Sequence, residues 1–356
     1  MPVAAERGRQ GRCLRRLTTY LGAMTWMTHD DAEGLALPEA GIRAALKGLQ
    51  TNWRNLRSFE IDRLTTTLLS GHTTAQEILA GDLLVFRARP RREDESFTNV
   101  LDLWAPPAAY VKKIGRFNAA GQSQLYCAGD PFTAMYELRP SIGSRMTMVV
   151  GKLRSSRLLK AFPLGMSEYV HKAAQGFDRG IAVNPQILAD LKRRGQLDLW
   201  LEVDRYLSRI ATRNCALADE HRGYWRTNAV SRLYNGYADT CGLIYPSVAR
   251  ANNGFNLCLA AAVADDLFYP VEAWDIRIGQ NCAFDPAQHG RPVQLSFEVE
   301  QAALAIDGRG DIQWSGRAHF NSCEIGAAHE GKAIRVHTQS ASPNFAELRV
   351  INGRPL

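Results

Sequence analysis

The segment GRFNAAGQSQLYCAGDPFTAMYEL, residues 115–138, constrains the fold of this chain more than any other stretch. A loop bearing Gly115, Asn118 and Gly121 feeds a five-residue apolar run, QLYCA at 124–128, which is too short for a helix and has the length and composition of a strand. Gly129-Asp130-Pro131 then marks a turn, and Pro131 suits the first turn of a helix running to about Leu138, where its missing N–H would have had no partner. Four other short runs are strand-like in the same way, namely LLVFRA (83–88), RMTMVVGKL (145–153), GLIYPS (242–247) and FNLCLA (255–260).

Helical patterns lie between and before them. Residues 38–59 read as an amphipathic helix opened by Pro38, with Leu46, Leu49, Trp53 and Leu56 at helical spacing. The TTAQE sequence predicts a second, short helix over Thr74–Ala80. Residues 185–210 carry the strongest helical pattern, broken near Gly195, and a further helix covers about 224–235. From Asp265 the character becomes β-rich: VQLSFEVE (293–300) alternates with period two, AIDGRGDIQW (305–314) reads as a hairpin, and AIRVH and AELRVI are candidate strands. The expected organisation is α+β: a helical N-terminal region over 1–80, a core domain over 81–264 with a helical insertion at about 160–220, and a β-rich C-terminal extension over 265–356.

Composition excludes several classes. Hydrophobic residues make up 46% of the 356, so a large core is available and global disorder is excluded. No run approaches the roughly 18 consecutive apolar residues of a membrane span, so no membrane partner is expected. Residues 1–25 hold basic side chains but no apolar stretch leading to a small-residue cleavage site, so no secretory leader is expected there. The seven cysteines are odd in number and none pair as C-x-x-C, which argues against a disulfide framework or a structural zinc site and for buried thiols in a reducing cytoplasm. The net charge of +7 suits an anionic ligand. Much of the excess sits in the run Arg7, Arg9, Arg12, Arg15 and Arg16, read as a solvated tail, so nucleic acid is not the expected partner. HFNSC (319–323) offers two metal-ligand types without a second pair, and no metal is expected. GAAHEGKA (326–333) has the glycines and lysine of a phosphate loop, but Ala333 stands where a hydroxyl would hold magnesium.

Three features remain: Arg87, at a strand that opens into an Arg- and Pro-rich loop; the 115–138 segment; and GLIYPSVARANNGFN (242–256), a strand ending in Ser247. All place polar residues at strand ends, where ligand sites are commonly built. These segments resemble the RES family, named for an Arg, a Glu and a Ser. The pattern G-R-F-N-x-x-G-x-x-x-L-Y-x-A-x-D-x-x-T-A-x-x-E runs from Gly115 to Glu137. The family's arginine maps onto Arg87, its glutamate onto Glu137 and its serine onto Ser247, while Tyr224 and Thr227 match a Y-x-x-T element. The sequence departs from compact members in the long stretch between Glu137 and Ser247, and in Cys241 at a position that is often acidic.

The resemblance implies an ADP-ribosyltransferase-like fold and consumption of NAD⁺ as substrate, by a glycohydrolase or phosphorylase acting as a cytoplasmic toxin. Inorganic phosphate and a cognate antitoxin protein are its implied partners. A protein mono-ADP-ribosyltransferase and a non-catalytic NAD- or nucleic-acid-binding module are the alternatives. Glu137, Arg87 and Ser247 are then the catalytic candidates, expected to line one cleft. A carboxylate such as Glu137 suits the oxocarbenium-like ribose left when nicotinamide departs. Arg87 and Arg116 suit the pyrophosphate. Asn118 and Gly121 shape the loop, and Tyr126 offers a flat face either for a nicotinamide or adenine ring or for the core. Tyr110 is a weaker candidate in the same loop.

Overall fold

The computed structural model describes residues 39–70, 77–79, 83–165, 185–213, 220–235, 241–247, 249, 254–281, 293–314, 320–326, 350–351 and 354–355. The N-terminal arginine run, His319, most of GAAHEGKA and the AIRVH segment lie outside them. The fold is α+β, a large mixed sheet with helices packed on it.

Two helices open the described chain, α1 (Glu39–Thr51) and α2 (Ser58–Ser70). The single helix expected over 38–59 is therefore divided. A one-turn 3-10 helix at Trp53–Asn55 follows α1, and Leu56 is extended. The new start is fixed by Glu60, whose carboxylate accepts from the Arg57 N–H at 2.7 Å, one half of a capping box. The apolar spacing survives the break, because Leu46, Leu49 and Trp53 are all buried. The short helix expected over Thr74–Ala80 is corrected: Glu77–Leu79 forms a strand, β1, and the rest of that segment lies outside the described residues. Tertiary pairing outweighs local propensity here, since β1 adds antiparallel to β5 (Leu159–Pro163), a strand that the sequence did not announce.

The remaining elements follow in order: β2 (Leu84–Arg91), β3 (Gln124–Ala128), α3 (Pro131–Leu138), β4 (Arg145–Leu153), then α4 (Pro185–Arg193), α5 (Leu197–Thr212) and α6 (Glu220–Asn235). The chain continues through β6 (Gly242–Pro246), β7 (Phe255–Ala260), α7 (Ala261–Leu267), β8 (Phe268–Asn281), β9 (Val293–Ile306), β10 (Ile312–Trp314) and β11 (Phe320–Gly326). The break expected near Gly195 separates α4 from α5, and that glycine has φ +70°. The hairpin expected over 305–314 is the β9–β10 turn.

The sheet order is β1-β5-β6-β7-β3-β2-β4-β8-β9-β10, with β11 also on β9. Among the described residues only β5–β6 is parallel, and the other pairs of this sheet are antiparallel. Strands β8 to β11 thus extend the same sheet, while Val350–Ile351 and Arg354–Pro355 pair as a separate two-stranded sheet. The β2–β3 junction differs from its neighbours. Only Phe86↔Ala128 pairs there, and beyond it the two strands fork.

Side chains alternate across the sheet. Val85, Leu125, Cys127, Val149, Ile244, Leu257 and Leu259 share one face with Phe97, Leu103 and Trp104 of the 92–122 loop and with α7. On the other face, Leu243, Tyr245 and Cys258 meet α1, α2, α5 and α6. Phe86, Ala128, Met146, Met148 and Val150 pack under α3 on that same side. The 92–122 loop is thereby well packed rather than open. Cys127 and Cys258 are buried free thiols, and burial pushes the Cys127 thiol up to about 12.

Candidate active site

The site grows from α3. Asp130 caps this helix, its carboxylate accepting from Thr133 N at 2.9 Å and Thr133 Oγ1 at 2.5 Å, and Pro131 occupies the first turn as expected. The cap fixes the helix on β2 and β3, and the helix delivers Glu137 to the ends of β6 and β7. There Ser247 Oγ donates to Glu137 Oε1 at 2.6 Å, and Asn256 Nδ2 donates to the same oxygen at 2.7 Å. Ser247 and Asn256 are almost fully buried, while Glu137 is exposed. Buried donors thus hold one carboxylate oxygen, and the other makes no hydrogen bond among the described residues.

Beside this carboxylate opens a polar pocket of about 430 Å³, adjoining solvent included. Arg116, Arg139, Thr212, Tyr245 and Ala249 line it with Glu137. Arg116 is held by both ends. Its guanidinium donates to the Ala211 carbonyl at the end of α5, and its own carbonyl accepts from Thr227 Oγ1. Thr227 belongs to one face of α6 that grips the loop: Asn228 Nδ2 donates to Gly115 O at 2.8 Å, and Ser231 Oγ donates to Phe117 O at 2.8 Å. The Y-x-x-T element is therefore a clamp on the glycine-rich loop, with Thr227 also donating to Tyr224 O at 3.1 Å.

The other predicted residues form a second, linked group. Tyr126 OH donates to Asn118 Oδ1 at 2.8 Å and accepts from Phe117 N at 2.9 Å. Its hydroxyl is thus tied to the loop, and burial raises its pKa well above the usual phenol value. Gly121 turns the loop with φ +78°, a conformation that favours glycine. Tyr110 is exposed at the loop surface.

Arg87 does not join Glu137 and Ser247. It makes no hydrogen bond or ion pair with either among the described residues, and it does not line the pocket. Strand alternation sends Arg87 away from Phe86, toward the face that holds Val85 and Val149, the latter being the register partner of Arg87. Its guanidinium fills the β2–β3 fork instead, Nη1 donating to Tyr126 O at 3.0 Å. A continued ladder would have paired Tyr126 with Ala88. The Nε of Arg87 is buried without a hydrogen bond, and burial lowers the pKa of the group.

Sequence reasoning missed Asn256, Asn228, Ser231 and Arg139. The signal for Asn256 was present: one amide inside the otherwise apolar FNLCLA run requires a buried partner. Among the described residues, no group of three or more His, Cys, Asp or Glu side chains is placed to hold a metal ion. No helix among them is long and apolar enough to cross a membrane.

With this geometry in place, the family comparison is decisive. The RES domain model matches residues 84–278, more than half of the chain and all of the elements that build the site. The chain belongs to the RES family. The matched RES region begins at β2 and ends within β8, so it includes α4 and α5 of the long stretch between Glu137 and Ser247. No curated protein matches the chain.

Proposed function

We propose that this RES protein cleaves NAD⁺ at the nicotinamide–ribose bond, as an NAD⁺ glycohydrolase or phosphorylase, with Glu137 stabilising the cation that forms. The observation that carries this reading is the divided state of the Glu137 carboxylate. Two buried donors hold Oε1, and Oε2 is left for a ligand beside an arginine-bearing pocket. Membership of the RES family supports NAD⁺ as the substrate.

In this mechanism the ribose C1′–N bond breaks and its electron pair moves onto the nicotinamide ring. The ring leaves as a neutral molecule, so no proton donor is required. Positive charge develops on the ribose, and the fixed carboxylate lies where it lowers that charge's energy without reorganising. Water adds to C1′ and gives its proton to solvent; inorganic phosphate as acceptor gives the phosphorylated sugar instead. Arg116 is assigned to the pyrophosphate. Arg87 is assigned to holding the β2–β3 fork, where its guanidinium donates to the Tyr126 carbonyl. Ser247 is assigned, together with Asn256, to holding Glu137, since both donate to the same carboxylate oxygen. Asn118, Gly121 and Tyr126 are assigned to shaping the loop that presents Arg116.

The proposal includes action as a toxin held in check by an antitoxin protein. The test is to incubate the purified protein with NAD⁺, with and without phosphate, and to identify the products. Free nicotinamide with ADP-ribose or its phosphorylated form supports the proposal. Label from the adenylate half of NAD⁺ appearing on protein would instead establish an ADP-ribosyltransferase. Binding without turnover would establish a non-catalytic module. Expression in bacteria without a partner should lower cellular NAD⁺ and stop growth.

A further inference from the structure

We infer that Arg139 is a phosphoryl-binding residue of the Glu137 pocket, placed there by a left-handed backbone turn. Arg139 ends α3 with φ 48° and ψ 57°, and it is the one non-glycine residue of positive φ among the described residues. Glycine is the usual occupant of such a helix end, because a Cβ crowds the backbone there. Pro140 follows, and a residue before proline is further disfavoured in helical conformations. The positive φ therefore opposes arginine at this position, and the following proline adds to the cost of the turn.

The turn has a geometric effect. On a continuing helix, residues 137 and 139 would point about 200° apart. The left-handed residue ends the helical progression, and Glu137 and Arg139 both line the same pocket. Arg116 lines it as well, its guanidinium donating to Ala211 O. Two arginines lining one polar pocket, beside a carboxylate already engaged on one oxygen, suit a ligand with phosphoryl oxygens. Strain kept at a pocket residue, where a glycine would relieve it, is the pattern of a side chain needed for its ligand. Two sources supply such a group: the pyrophosphate of the dinucleotide, or a free phosphate acting as acceptor. The identity of the substrate rests on the proposed NAD⁺ reaction, but phosphoryl binding itself does not.

The test uses Arg139→Gly and Arg139→Lys in the full chain. Thermal unfolding comes first, and Arg139→Gly should melt at the wild-type temperature or above it, since glycine accepts the turn. Turnover is then measured against NAD⁺ and against phosphate. Binding of inorganic pyrophosphate and of phosphate is followed by calorimetry, whether or not turnover occurs. Arg139→Gly should raise the KM for NAD⁺, or the half-saturating phosphate, by about tenfold or more, with kcat changed less. A change for NAD⁺ and pyrophosphate identifies the dinucleotide as source; a change for phosphate alone identifies the acceptor. Arg139→Lys should recover part of the loss by keeping the charge without the fork. If the wild type binds the anions but cleaves no NAD⁺, the reaction fails and this inference stands. Unchanged anion binding and unchanged KM in Arg139→Gly, or a wild type that binds neither anion, would overturn it, and Arg139 would be only a cation at a helix C-terminus.

Discussion

Ser247 and Glu137, 110 residues apart in sequence, meet through a 2.6 Å hydrogen bond from the serine hydroxyl to Oε1. The bond joins the end of β6 to the last turn of α3. Asn256 of β7 completes the arrangement from the neighbouring strand. In the proposed mechanism this serine positions the carboxylate; a serine nucleophile would make the same hydrogen bond to its base, so kinetics must separate the two roles.

Removing either donor should therefore be mild, because the other remains. Ser247→Ala and Asn256→Ala should each lower kcat/KM by about three- to tenfold, as expected for hydrogen bonds worth about 0.5–1.5 kcal/mol. The double variant should lose more than the product of the two, since it frees the carboxylate altogether. Steady-state kinetics on the four proteins makes the comparison. A nucleophilic serine predicts that Ser247→Ala alone abolishes turnover.

Gly165 tests how the helices seat against the sheet. It follows β5 with φ +64°, and a Cβ placed there would collide with the backbone of Ser208 in α5. Gly165→Ala should therefore destabilise the protein by about 2 kcal/mol or more, combining backbone strain with overpacking. Chemical denaturation measures this, and a loss under about 0.5 kcal/mol would mean that β5 and α5 are not so closely apposed.

Much of the fold was legible where one local signal and the tertiary structure agreed. QLYCA and RMTMVVGKL became β3 and β4 with the expected bounds, because apolar runs bounded by turns left little choice. Glu77–Leu79 was misread because a three-residue strand is set by the edge it joins, which local sequence does not describe. Glu137 and Ser247 were legible through the family pattern. Asn228 and Ser231 were not, since polar residues in a helix say nothing of which carbonyl they will meet. The expectation of a single cleft with Arg87 did not allow for the period-two alternation that points it away from Phe86.

Asp275 gives a prediction in pH. It is buried in β8, accepts from Thr147 Oγ1 at 2.5 Å and lies 3.3 Å from Arg91 Nε. Burial nevertheless raises its carboxyl above the ordinary value, with Thr147 and Arg91 pulling the other way. A carboxyl raised by folding binds its proton more tightly in the native state. Its contribution to stability is full below the unfolded pKa and is lost as pH rises through the folded one. Asp275→Asn carries no titrating proton, so the stability of the wild type relative to this variant should fall as pH rises from about 4 to 7. Denaturation series across that range read the sign, and a relative stability that climbs with pH would show that the ion pair with Arg91 dominates instead.

The most direct test of the account is the turnover of Glu137→Gln. The amide keeps the shape of the side chain and removes its charge, so the groups that hold the substrate stay in place while the stabilisation of the ribose cation is lost. We predict that kcat for NAD⁺ cleavage falls by about a hundredfold or more, with dissociation constants for NAD⁺ within about threefold of wild type. A folded Glu137→Gln protein that releases nicotinamide at near the wild-type rate would contradict the account.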